Sequence, residues 1–228
     1  MNLLIIHFGL FLLLIVSTYF ISRKSINSFF YFLNIFIKNR KIVFSIISVF
    51  FFPGTIIHEL AHFFCAIVLM LKIKEVNVFP KIEGNSIKLG SVIYEKKDTL
   101  RGILVGMAPI ILGLGIFLWL SFFNLFPHDD FYINILLIYL IYIVSTTMFS
   151  SKRDLVDIVY LIPLLIVLSA VIYVFNIKID FVFNNLSFIN NATLILGRIN
   201  YYLLISVVIN IMLIVIFNLF NRFTKYVR

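Results

Sequence analysis

The sequence predicts an all-α polytopic membrane protein of about six transmembrane helices with a small β-hairpin at the membrane surface. Three observations lead there. The 228 residues are 62% hydrophobic and 13% charged, with a mean hydropathy of +1.11, whereas soluble domains carry about 25% charged residues. Apolar runs recur from one end of the chain to the other, each near the ~20 residues a helix needs to cross the hydrocarbon. Only one long stretch, residues 72–101, is polar.

Residues 3–21 make the first expected span. They lack the basic start and small-residue cleavage site of a signal peptide, so a retained helix is expected. Residues 22–41 carry Arg23, Lys24, Lys38, Arg40 and Lys41 around a short apolar patch, 29–37, too short to span and read as an interfacial helix. Residues 42–71 are apolar except at one motif, and as one straight helix would be about 45 Å long. Pro53-Gly54 predicts a kink or break just before that motif, with room for a watery pocket. In residues 72–101, Val76, Val78 and Phe79, then Ile87, Leu89 and Val92 to Tyr94, suggest two short strands around a Glu83-Gly84-Asn85 turn. Residues 102–126 span next. There Gly102 and Gly106 form a small-x-x-x-small pair that admits a close neighbour, and Pro109 adds a kink. An acidic turn, residues 127–130, precedes spans at 131–149 and 155–175. Residues 176–191 connect to a last span at about 193–220.

This organisation is one integral membrane domain, 1–228, with a catalytic core at about 42–175 and accessory spans in 1–41 and 176–228. The net charge of +9 does not indicate nucleic acid, because the basic residues flank apolar spans and act as topology signals and lipid contacts. A cytoplasmic 72–101 loop puts twelve lysines and arginines inside and seven outside. That is the expected orientation, although the basic 22–41 segment opposes it. The single cysteine, Cys65, excludes an intrachain disulfide. Abundant Ile, Phe, Asn and Lys is the usage of an AT-rich prokaryotic genome, so the expected location is a prokaryotic cell membrane, with the lipid bilayer as a partner.

The motif is His58-Glu59-Leu60-Ala61-His62. Four residues apart on a helix, His58 and His62 project from one face, one turn above the other. Both imidazoles can then reach one Zn²⁺ at about 2.0–2.1 Å. Glu59 points to a neighbouring azimuth, where it can act as general base on an activated water. Three such side chains inside an apolar span are costly unless something pairs them, and a metal would. A catalytic zinc normally has three protein ligands. Asp154 is the candidate for the third, because Ser150-Ser151 gives a non-helical entry that can dip toward the metal. Asp157, one turn later, is the fallback. An acid favoured by a helix N-terminus, or a partner for Lys152 or Arg153, is an equally good account of Asp154.

The motif in its span, Gly106-Met107-Ala108-Pro109 in the next, and Met148-Phe149-Ser150-Ser151-Lys152-Arg153-Asp154 after the one following resemble the site-2 protease family of intramembrane zinc metalloproteases. The third motif departs from the family's Asn-x-x-Pro and Leu-Asp-Gly and is closer to a divergent Met-x-Pro-Ser-x-x-Asp pattern, with Ser150 in place of the proline. The resemblance implies zinc on His58, His62 and Asp154, Glu59 as the catalytic base, and a membrane-edge hairpin at 72–101. It implies hydrolysis of a peptide bond in or near a transmembrane helix of a substrate protein. The other reading is a non-catalytic membrane protein, a degenerate protease homologue acting as a chaperone or a metal transporter. An intact Glu59 between the histidines favours the enzyme.

Overall fold

The computed structural model describes residues 2–79, 81–83, 86–88, 90–149 and 185–226. Among the described residues, five helices and a hairpin follow one another: α1 Asn2–Phe36, α2 Arg40–Val68, strands β1 Ile73–Asn77, β2 Lys81–Glu83, β3 Ser86–Lys88 and β4 Ser91–Tyr94, then α3 Thr99–Phe122, α4 Phe131–Thr147 and α5 Leu186–Tyr226. Four helices, α1, α2, α3 and α5, are long and apolar enough to cross a membrane, while α4 is a shorter apolar helix. The protein is thus mostly helical and fit for a membrane. Six membrane-length helices are not found among the described residues, and the expected span at 155–175 lies outside them.

Four of these helices, α2 to α5, start where a side chain can satisfy the first free N–H groups. Asn39 accepts from the Lys41 N–H at 3.0 Å, Asp98 from Arg101 at 2.8 Å, Asp130 from Tyr132 at 2.7 Å and Asn185 from Phe188 at 3.1 Å. α2 and α3 end alike. Met70 and Asn124 take left-handed backbone at φ 53° and 47°, so that Leu71 donates back to the Ala66 carbonyl and Leu125 to Leu120. Both ends are Schellman closures.

Two expectations about helix breaks are corrected. α1 does not stop near Ile21 to leave an interfacial helix; it continues unbroken to Phe36. Between Gly9 and that end there is no glycine or proline to interrupt it. Its second half buries Ser22, Ser25 and Ser28, and Phe29 packs on Phe51 and stacks on Phe217. Nor does Pro53-Gly54 break α2, which runs through it as one helix. Gly54 instead admits α4: a Cβ there would overlap Ile143 Cγ2 and lie 2.8 Å from Thr147. Tyr139 donates its hydroxyl to the Phe50 carbonyl at 2.8 Å, just before the proline.

α1 and α5 run side by side in the same direction, with Asn200 on the His7 carbonyl and Phe32 against Phe220. α4 runs against α1, as the Tyr142 to Ser25 hydroxyl contact at 3.1 Å and the Tyr19–Phe149 ring pair show. α4 runs with α2, Phe50 meeting Tyr139 and Gly54 meeting Thr147. The main core, around Phe117, Leu120, Ile141, Val144 and Tyr202, lies where α1, α3, α4 and α5 converge.

The hairpin is real and has two ladders. β1 pairs with β4, Val76 opposite Val92, with an irregularity between Ile73 and Glu75. β2 pairs with β3, Glu83 opposite Ser86; the expected turn residues Gly84 and Asn85 lie outside the described residues. Its placement is the surprise. Ile73 and Tyr94 pack with Ala66, Leu71 and Val105, Gly90 meets Glu59, and Phe79 stacks on Phe52 at 5.7 Å. The hairpin therefore lies along α2 over about 20 Å of helix, beside the motif, and not merely at the surface beyond its end.

Candidate metal centre

His58, Glu59 and His62 are all buried, at 4, 6 and 6% exposure, on a helix apolar enough to lie in lipid. Their burial follows from what surrounds that face of α2: α3 on one side, α4 on another, the hairpin over the rest. Gly102 and Gly106 are both buried in the first turns of α3.

The two imidazoles converge. His58 Nε2 and His62 Nε2 are 3.1 Å apart, with the rings nearly perpendicular at 82°. Two nitrogens held about 2.05 Å from one tetrahedral ion would be about 3.3 Å apart. The pair is thus within a few tenths of an ångström of the edge of a zinc tetrahedron. The second nitrogen of His62 fixes the tautomer: Nδ1 lies 2.8 Å from the Val105 carbonyl oxygen, which can only accept, so Nδ1 carries the proton and Nε2 keeps its lone pair. A carbonyl behind a ligating histidine is the usual support for metal coordination.

Glu59 meets the hairpin at Gly90. A Cβ built on Gly90 would lie 2.6, 2.7 and 2.9 Å from Glu59 Cγ, Oε1 and Cδ. No left-handed backbone angle calls for glycine at position 90. The close approach of the chain to the glutamate does.

The motif residues therefore stand together, whereas the third expected ligand is not among the described residues, nor is its fallback: both Asp154 and Asp157 fall in 150–184. Among the described residues no group of three His, Cys, Asp or Glu side chains forms a metal site. What can be described is the approach to them. α4 ends at Thr147 with Met148 and Phe149 still buried. Two participants escape a motif-based reading, the Val105 carbonyl and Gly90. A backbone carbonyl has no residue type to betray it, and Gly90 is one glycine in a loop whose folding direction the sequence leaves open. Cys65, one turn past His62, packs with Ala66, Leu71 and Val105, the structural role expected of a small half-buried thiol.

Comparisons with protein-family models, with curated proteins and with solved structures find no match to this chain.

Proposed function

We propose that the protein is an intramembrane zinc metalloprotease that hydrolyses a peptide bond in or near a transmembrane helix of another protein. One observation supports it above the rest: two buried imidazole nitrogens 3.1 Å apart, with His62 backed by the Val105 carbonyl and an acid between them. His58 and His62 would hold the ion, with Asp154 as the third ligand. Two features favour Asp154. α2 and α4 run in the same direction with Gly54 against Thr147, so one turn further along α2 comes His58, and past Thr147 comes the segment leading to Asp154. α4 also ends with Met148 and Phe149 still buried, a few residues before Asp154 in the sequence.

Zinc, when bound, supplies Lewis-acid polarisation of a carbonyl and a lowered pKa for water. Glu59 takes one proton from the attacking water as its oxygen bonds to the scissile carbonyl carbon. It gives that proton to the amide nitrogen as the C–N bond breaks, leaving an amine and a carboxylic acid, whose remaining proton passes to the amine to give a carboxylate and an ammonium. Burial of Glu59 keeps bulk water from competing for that proton. A substrate helix hides its carbonyls in its own ladder and must unwind first. The hairpin beside Glu59 offers strand edges that can satisfy the unwound backbone. We further propose a multi-pass protein of about six spans, the site toward the cytoplasmic side, in a prokaryotic cell membrane.

The deciding experiment pairs metal analysis with cleavage of a single-span reporter in the same membranes. His58→Ala and His62→Ala lose zinc, and Glu59→Gln keeps zinc while cleavage is abolished. Wild-type cleavage by Glu59→Gln would refute the assignment of the base. Full zinc in either histidine variant would refute the metal site.

A further inference from the structure

We propose that Pro109 is a positioning residue for His62, acting through the one backbone carbonyl that a proline at 109 leaves free. The proposal rests on His62 being a metal ligand. In an α-helix the carbonyl of residue i accepts from the N–H of residue i+4. The carbonyl of Val105 would therefore accept from residue 109. Residue 109 is proline and has no N–H. α3 nevertheless runs unbroken from Thr99 to Phe122, with Val105 and Pro109 both buried. Of the four carbonyls in the turn preceding Pro109, this one receives a side chain from another helix, His62 Nδ1 at 2.8 Å.

The match in register has a physical reason on both sides. A carbonyl without its ladder partner, shut away from water, must find another donor. An imidazole that is to present Nε2 to a cation must keep its proton on Nδ1, and a group that accepts only secures that tautomer. Pro109 meets both needs. It withholds the competing N–H, so the full acceptor strength of the Val105 oxygen and its direction belong to His62. A residue with an N–H at 109 would draw the carbonyl back toward the axis of α3. A carbonyl has two lone pairs and can serve both donors, so the effect is a weakening and a loosening of the His62 contact, not its removal. A partner of this kind behind a ligating histidine is worth about 10–100-fold in metal affinity.

A purely structural proline would behave differently. Replacing it would change the stability or packing of α3 and leave the His62 tautomer alone. The test uses Pro109→Ala in the full-length protein, purified in detergent. Zinc affinity is measured by chelator competition, and the histidine tautomers of the metal-free protein by ¹⁵N NMR. Zinc affinity should fall measurably, toward but short of the about 10–100-fold that complete loss of such a partner costs. His62 should change from a single Nδ1–H form to a mixture, while the thermal midpoint of the metal-free protein holds or rises, because the helix gains a hydrogen bond. A second variant places lactic acid at 109 by nonsense suppression, which has the alanine side chain but an ester oxygen in place of N–H. It should recover wild-type affinity and tautomer. Unchanged affinity and tautomer in Pro109→Ala overturns the proposal, as does a defect that the ester variant shares. Should the wild type bind no zinc, the metal reading fails, and the tautomer spectra alone decide whether Pro109 orients His62.

Discussion

Gly90→Ala should separate a contact from a coincidence, because the three atoms nearest the new Cβ all belong to one side chain. The new Cβ would sit 2.6, 2.7 and 2.9 Å from three atoms of Glu59, some 0.5–0.8 Å inside ordinary carbon contact. Glu59 is 6% exposed and cannot simply swing out, so the hairpin or the carboxylate must shift. Overpacking of this kind costs about 1–3 kcal/mol. Against it stands the gain from removing a glycine from the unfolded chain, about 0.4–1 kcal/mol where the backbone tolerates alanine. The net loss of about 1–2 kcal/mol would lower the thermal midpoint by about 2–8 °C for a chain of this size. In a Glu59→Ala background all three clashing atoms are gone. There the same substitution should raise the midpoint by about 1–4 °C. The assay is a four-protein thermal cycle in detergent, read by differential scanning fluorimetry. An equal loss in both backgrounds would refute the reasoning and show that Gly90 does not meet Glu59.

Gly54→Ala should be more damaging, because its Cβ would overlap Ile143 and press on Thr147; we expect about 2–3 kcal/mol of lost stability, and a chemical-melt midpoint equal to wild type would contradict the close α2–α4 contact. Asp154→Asn should weaken zinc binding sharply while Asp157→Asn leaves it unchanged, as chelator competition would report. The reverse pattern would move the third ligand to Asp157.

Periodicity and composition made the apolar helices and the hairpin legible, and the spacing of His58 and His62 placed both imidazoles correctly on one face. The errors were of one kind, a local signal read without its neighbour. Pro53-Gly54 carries the grammar of a break, but a membrane-length helix tolerates proline where another helix fills the gap, and Gly54 is there for Ile143 and Thr147. The basic residues after Ile21 suggested an end to the first span, yet Arg23 lies over the Tyr19 ring at 4.5 Å and the helix continues. Pro109 also leaves the carbonyl four residues earlier without its ladder donor, which a reading of it as a kink alone passes over. Alternation in residues 72–101 located the strands but had no means of saying that they fold back along α2. Such long-range choices depend on side chains far apart in sequence, and a local pattern does not record them.

The parallel pair α1 and α5 has a consequence for the lipid around it. The two helices, 34 and 37 residues over their membrane-length parts, are about 51 and 55 Å long when straight, against a hydrocarbon thickness of about 30 Å. Even at a tilt of about 40°, the upper end of what membrane helices adopt, each would still rise some 40 Å along the bilayer normal. In a bilayer, part of each would reach past the hydrocarbon, where Arg23 and Lys24 of α1 and Arg198 of α5 would meet the headgroups. α4, at 17 residues, is about 26 Å long and falls short of that thickness. The helices of one molecule would thus ask for unequal hydrocarbon depth, and chain length in the surrounding lipid would be a variable for α4 and the motif helix beside it.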